Sequence, residues 1–524
     1  MRNIAKLFIG LLLLHSASSL LARATFGKTT FRNRSTGLNK IIQEAGTLHF
    51  LNPYDIDCLN GFFGVTAGYE SSFDRDEIGK YLFFNGTNSM TIGTVGSSDF
   101  ATTAIALPGV DIYAENLFLN NNLATGGLLG FNSSIIALPQ VQNVFVDLNL
   151  RINLDEWIEG LYFDCHAPVT WTRWDMNIHE NLLTTGSVIV ANTLGNASPT
   201  PSPVSSVKAA LQGQVINIAT FPDLKQPLLY GKVDGAQTKT RLADVETALG
   251  YNFWACEYSH LGLELRAIFP TGNQPDAEFW FEPLAGNGHQ YGLGAGTTFH
   301  YELWNNCCDS SFSSWANGKI YHMFGAKQRR IFDLNNADGS QNIGSNRLFI
   351  KKFTTAGVFS EILFGPNVLA LQCKVSNDIQ AEAALLFDYQ RGGFTLDVGY
   401  KFWCRTNDKV TVSQQLPVDT FAIKGVTQGT GSTSASDSAS NTKINGMSTA
   451  DTTLTFISNN NLSITSAEQP TALSHTAFFH VNYAWECYDY TPFVGAGAEI
   501  ELSGSDNNAL DQWAGWLKAG FAFS

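Results

Sequence analysis

Apolar and polar residues alternate with a period of two through a series of segments separated by turn-rich stretches. From Val144 to Leu154 the residues Val144, Val146, Leu148, Leu150, Ile152 and Leu154 share one face, while Asp147, Asn149, Arg151 and Asn153 share the other. Successive side chains of an extended strand point to opposite sides, so this segment predicts a strand with one apolar and one polar face. The same pattern sets Leu161 to Trp171 against Tyr162, Asp164, His166 and Thr170, and Leu261 to Phe269 against His260, Glu264 and Arg266. It recurs in Tyr291 to Leu303 (against Gly292, Gly294, Gly296, His300 and Glu302), Ile379 to Tyr389 (Gln380, Glu382, Asp388), Phe394 to Phe402 (Asp397, Lys401) and Ala477 to Trp485 (His480, Asn482, Glu486).

Short connectors at Asp155 to Trp157, Asn252 to Glu257, Asn305 to Ser311, Arg391 to Gly393 and Tyr488 to Tyr490 alternate with long ones at 74–143, 175–239, 270–289, 325–371 and 406–474. That alternation predicts an all-β fold, a transmembrane up-and-down antiparallel β-barrel with short periplasmic turns and long extracellular loops. With Gly61 to Phe73 as the first strand and Ala509 to Phe523 as the last, about 12 strands result. Tyr81 to Phe84 and Asp111 to Leu119 could hide a further pair, giving up to about 16. The loop 406–474 is rich in Ser, Thr and Gly (Gly429 to Ser436) and reads as a mobile surface loop. The prolines Pro199, Pro201 and Pro203 precede a short helix expected within Val204 to Leu211.

The N-terminus sets the compartment. A basic start, an apolar block from Leu7 to Leu14 and the small residues of Ala22-Arg23-Ala24 read as a signal peptide over 1–24, cleaved after Ala24. The expected organisation is then a periplasmic segment over 25–60 and a barrel over 61–524. Composition agrees: 44% hydrophobic and 12% aromatic residues, only 15% charged residues, and a mean hydropathy of −0.04. Strands with one lipid and one water face average to such a balance. A soluble all-β protein of this size is the competing explanation. The net charge of −14, with no basic cluster, argues against nucleic acid as a partner. Eight cysteines suit an exported chain; they predict structural disulfides or buried free thiols, and their spacing predicts no metal site. No cofactor is expected.

At the C-terminus Trp513, Gly515, Leu517, Ala519, Phe521 and Phe523 share a face, and the chain stops one residue later. In a soluble domain this would be a sticky edge; in a barrel it closes the sheet against the first strand. Signal peptide, amphipathic strands and terminal Phe521-Ala522-Phe523 resemble an outer-membrane β-barrel of porin-like type, and cysteine content, acidity and size are similar to those of the chlamydial major outer membrane protein and its relatives. The resemblance implies outer-membrane lipid and the barrel-assembly machinery as partners, with a homo-oligomer open. Leu51-Asn52-Pro53 is similar to the hatch motif of fatty-acid-type transporters of hydrophobic compounds.

With the polar faces as lumen, the pore-lining candidates are Asp147, Arg151, Asp164, Glu264, Arg266, Glu302, Glu382, Asp388, Asp397, Lys401 and Glu486. Acids outnumber bases, which in a narrow tube favours cations; the alternative is that these groups pair across strands and hold a plugged interior. His166, His260, His300, His322 and His480 also fall on the predicted inner faces, as structural or solvated residues. The glycines of Gly292 to Gly296 fall on alternate strand positions and predict close packing, not a phosphate loop. The sequence contains no GxSxG elbow, and no catalytic residue is nominated. The function expected is a channel for small hydrophilic solutes with a mild cation preference. The alternative is a structural or adhesive surface barrel with a filled lumen, and an outer-membrane hydrolase ranks third.

Overall fold

The computed structural model describes residues 26–51, 59–93, 110–117, 131–185, 204, 206–214, 224–306, 310–354, 357–424, 443–445, 455–485, 490–503 and 509–523. The expected signal peptide, Asn52, Pro53, Gly429 to Ser436, Glu486 and four cysteines (Cys58, Cys307, Cys308, Cys487) lie outside them.

Twelve strands form the barrel: β1 (Asn60–Ser72), β2 (Gln140–Asn153), β3 (Leu161–Asp175), β4 (Val245–Cys256), β5 (Ser259–Phe269), β6 (Gly292–Asn305), β7 (Ser310–Ile331), β8 (Ala370–Arg391), β9 (Phe394–Arg405), β10 (Ala472–Ala484), β11 (Tyr490–Ser503) and β12 (Gln512–Phe523). Each pairs antiparallel with its neighbours in sequence. β1 then pairs with β12 from Gly61 opposite Phe523 to Ser72 opposite Gln512, so the sheet closes on itself. A closed sheet satisfies its backbone donors and acceptors internally, which a lipid environment demands. The count stays at twelve because Arg75–Leu82 is a helix and Ile112–Tyr113 pairs in a separate sheet.

The alternation sets the two faces as expected. Val144, Val146 and Leu148 are about 40% exposed, whereas Asp147, Asn149, Arg151 and Asn153 are all buried inside. Trp157, Trp254, Tyr258, Trp304, Trp485 and Tyr490 gather exposed at the short-turn end, forming the aromatic girdle typical of a membrane interface. His322 departs from the expectation and faces outward. The inward set of β7 is Trp315, Asn317, Lys319, Tyr321 and Met323, so His322 falls on the outer face by simple alternation, and it bonds the Asp378 carbonyl through Nδ1 at 2.9 Å.

The long connectors build a cap over the other end. Ser89–Gly93 pairs with Ile112–Tyr113 and Phe131–Ala137, which pairs with Ile178–Thr185; two three-stranded sheets join Phe349–Phe353, Phe359–Phe364 and Phe421–Ile423, and Asp333–Asn335, Gln341–Asn342 and Leu462–Ser463. Phe83, Trp174, Trp280, Phe281, Phe332 and Ile350 lie in one shared apolar core. The stretch 406–474, expected as a mobile surface loop, places Leu416, Ile423, Ile457, Leu462 and Ala467 in that core. Its apolar residues flank the polar repeat and were diluted by it. The expected short helix is present at Val207–Leu211, where the Ser206 hydroxyl accepts from the Ala209 N–H at 3.1 Å.

Residues 25–60, expected in the periplasm, require a correction. Phe26–Leu51 runs from the cap down into the lumen: Phe31 sits in the cap core, and Leu48 and Leu51 sit beside Phe62 of β1 in an apolar cluster inside the barrel. Between them lies a helical turn, α1 (Lys40–Glu44), whose Asn39 side chain accepts from the Ile41 N–H.

Candidate functional site: a plugged lumen

The inner wall is charged and the plug carries the opposite sign. Among the described residues, the twelve strands bury ten carboxylates (Glu70, Asp147, Asp164, Glu246, Glu264, Glu382, Asp388, Asp397, Glu499, Glu501) against seven cations (Arg151, Arg266, Lys319, Arg330, Lys401, Arg405, Lys518). The plug buries Lys28, Arg32, Arg34 and Lys40 against the single acid Glu44. The wall strands thus carry a formal excess of three negative charges and the plug a formal excess of three positive ones; Arg32 and Arg330 share the buried Asp408, outside the twelve strands, and Lys28 bonds the Thr465 carbonyl in the cap. Buried charge of one sign is costly unless paired, so the opposite sign of the segment favours its place in the lumen.

The contacts run around most of the wall. Near the cap, the Arg34 guanidinium lies 2.7 Å from Glu501 of β11 and 3.9 Å from both Glu70 of β1 and Glu499 of β11. Arg32 donates to Asp408 at 2.7 Å and to the Asn287 carbonyl at 2.8 Å. Asn39 donates to Glu499 at 2.7 Å and accepts from Lys401 of β9 at 2.9 Å. The Lys40 N–H donates to Glu382 of β8 at 2.8 Å, and Asn317 of β7 donates to Glu44 at 2.6 Å. Deeper, Lys518 of β12 donates to the carbonyls of Gln43 and Ala45 at 2.9 and 2.7 Å, and the Gly46 N–H donates to Asp397 at 2.6 Å. Ile41, Ile42 and Leu48 add apolar contacts with Trp315, Leu386, Phe478 and Trp516.

A second cluster lies mainly within the wall and touches the plug through Lys319, which donates to Gln43 at 3.4 Å. Glu246 of β4 accepts from Arg266 of β5, from Lys319 of β7 at 2.9 Å and from the Tyr321 hydroxyl at 2.6 Å. Arg266 also donates to Glu264 at 2.5 Å, and Glu264 accepts from Tyr162 at 2.9 Å. The close packing expected of the β6 glycines is visible here: a Cβ on Gly296 would stand 2.2 Å from Oε2 of Glu264. His166 lies between Asp147 and Asp164 at 3.5 and 3.4 Å.

Nine of the eleven candidates from the sequence face inward and are buried: Asp147, Arg151, Asp164, Glu264, Arg266, Glu382, Asp388, Asp397 and Lys401. Glu302 is only half-buried near the short-turn end and bonds its neighbour Asn305; Glu486 lies outside the described residues. Asp388 and Asp397 are direct cross-strand partners, and Asp397 stands 3.3 Å from His480. Glu70, Glu499 and Glu501 were not nominated, although alternation continues through Glu499 and Glu501. The plug was missed as well; its signal is four cations and one acid just upstream of an acidic barrel. Cys165, Cys256, Cys373 and Cys404 are free thiols, and no group of three or more metal-ligating side chains occurs among the described residues.

The hydrogen-bonded closure, the apolar outer face and the girdle decide the fold. It is a closed twelve-stranded β-barrel of transmembrane type. No family model and no curated protein matches the chain, and the resemblance to the chlamydial protein gains nothing from these comparisons. Solved structures that match include the TodX monoaromatic hydrocarbon channel deltaS2 mutant (10% identity, 96% of each chain covered, TM-score 0.31), the transport unit of the autotransporter AIDA-I from Escherichia coli (7% identity, 94% of this chain and 100% of that one, TM-score 0.23) and the NanC porin (8% identity, 73% and 93%, TM-score 0.23). With TM-scores this low, no solute or mechanism is taken from them.

Proposed function

We propose that the protein is a non-catalytic outer-membrane pore for small hydrophilic solutes, closed in this conformation by its own N-terminal segment and favouring cations when that segment moves. Export with cleavage after Ala24 and insertion by the barrel-assembly machinery are part of this reading. The observation that supports it is the opposite charge of plug and wall, joined by contacts such as Arg34 with Glu501 and the Gly46 N–H with Asp397. A lumen filled only for stability is served at least as well by apolar side chains, since replacing buried ion pairs with well-packed hydrophobic groups is often neutral or stabilising. Charged and amide contacts can instead be taken over by water when the plug withdraws, leaving a wall with excess carboxylate that lowers the entry barrier for cations.

Planar-bilayer recording tests the proposal. The intact protein is expected to show rare conductance steps, and variants that loosen the plug frequent ones, with potassium more permeant than chloride. Silence from every variant, or anion preference, would overturn it. The folded cap and filled lumen favour a second reading, a structural or adhesive surface barrel, which predicts surface binding without conductance.

A further inference from the structure

Where the plug meets Glu70, Glu499 and Glu501, three buried carboxylates face two cations, Arg34 of the plug and Lys401 of β9. Arg34 meets Glu501 as a fork, Nε to Oε1 at 3.4 Å and Nη2 to Oε2 at 2.7 Å, a geometry that a planar guanidinium satisfies and a point-charge ammonium does not. Glu501 is held in place by Gln512 at 2.7 Å and by Ser474. Glu70 is held by Asn143 at 3.0 Å, and Glu499 by Asn39. Yet Oε1 of Glu70 and Oε2 of Glu499 accept no hydrogen bond among the described residues, although both side chains are at least nine-tenths buried. The wall therefore presents a Glu501 fork preorganised by Gln512 and Ser474, with a spare acceptor on Glu70 and one on Glu499, the latter oriented by Asn39 of the plug, beneath the cap at the outer end of the lumen.

We infer that the Glu70, Glu499 and Glu501 cluster is a guanidinium-binding site, occupied here by Arg34 as a tethered stand-in, and that the solute the pore recognises carries a guanidinium group. The inference rests on the pore reading for its transport meaning, but binding is measurable without transport. A solute guanidinium entering from the cap side replaces Arg34 on Glu501 and releases the upper part of the plug, so recognition and opening become one exchange.

The test is chemical rescue of full-length Arg34→Ala in detergent. Methylguanidinium chloride is titrated against tetramethylammonium chloride at equal concentration, with the apparent Tm and protease cleavage within 26–51 as readouts. Arg34→Ala should have a lower Tm than the parent, and methylguanidinium at several times its Kd should restore roughly 2 °C while tetramethylammonium restores nothing. Arg34→Ala combined with Glu501→Gln should not be rescued. Equal effects of the two salts on Arg34→Ala overturn the inference. If Arg34→Ala fails to fold, the parent serves: methylguanidinium should increase cleavage within 26–51 several-fold over tetramethylammonium, and no difference is the overturning result. Rescue in detergent with no conductance in bilayers would sink the pore reading and leave the site standing.

Discussion

Gly46 and Asp397 join the floor of the plug to the wall by one hydrogen bond, the backbone N–H donating to Oδ2 at 2.6 Å. Gly46 has a φ of +80°, and a Cβ there would stand 2.2 Å from Cε1 of His480. Gly46→Val therefore meets two penalties, roughly 1–3 kcal/mol for the left-handed backbone and about 1–3 kcal/mol for overpacking. The wall is a closed sheet and the plug is a single strand of chain, so the plug should yield. Expected are an intact heat-modifiable barrel, faster proteolysis within 26–51 and more frequent conductance steps. An unchanged proteolysis rate would show that the floor contact does not hold the plug.

Apolar residues on the two sides of the wall should respond differently to the same substitution. Ile41 is fully buried in the lumen beside Trp315 and Leu386, whereas Leu263 is 59% exposed on the outer face. Ile41→Ala is expected to cost about 2–5 kcal/mol through lost burial and a cavity, whereas Leu263→Ala in detergent should cost roughly 1 kcal/mol or less. Thermal unfolding of the two variants side by side checks this. Equal losses would contradict the placement of the plug.

The wall cluster makes its own prediction. Glu246 is fully buried and is the common acceptor for Arg266, Lys319 and Tyr321. Glu246→Ala leaves two buried cations short of a partner, a loss of about 3–5 kcal/mol. Heat-modified gel migration should shift to a lower temperature. Glu302→Ala, half-buried away from this cluster, should leave migration unchanged.

Strand number and face were legible because period-two alternation needs no tertiary information: Val144 to Asn153 declares its two sides residue by residue, and the same alternation sets His322 outward between the buried Tyr321 and Met323. Ends of strands were visible from turn residues such as Gly392 and Gly393. The plug was not legible, since Lys28 to Leu51 is neither periodic nor long, and its partners lie hundreds of positions away, as in Arg34 with Glu501. The cap was hidden for a similar reason. Leu416 and Leu462 belong to one core, but a polar repeat separates them in sequence. The lumenal acids were recognisable singly; that Glu70 joins Glu499 and Glu501 depends on closure between β1 and β12.

The cap carries a pH dependence of its own. Glu282 lies in the connector between β5 and β6, where its carboxyl accepts from the N–H groups of Asp276 and Ala277 at 3.2 and 2.9 Å. Burial, reinforced by the nearby Asp276 carboxylate, pushes its pKa up to about 8 from the ordinary 4.5. The folded cap therefore keeps a proton that the unfolded chain releases at about pH 4.5, and the stability this supplies is complete below that pH. As pH rises toward 8 the unfolded state binds fewer protons than the folded one, and stability falls by an amount on the order of a few kcal/mol. Glu282→Gln holds the neutral form at every pH. Limited proteolysis of the cap should find parent and variant alike at pH 4, and the variant several-fold more resistant at pH 9. If the parent is equally resistant at both ends of that range, the buried proton on Glu282 is not what sets the stability of the cap.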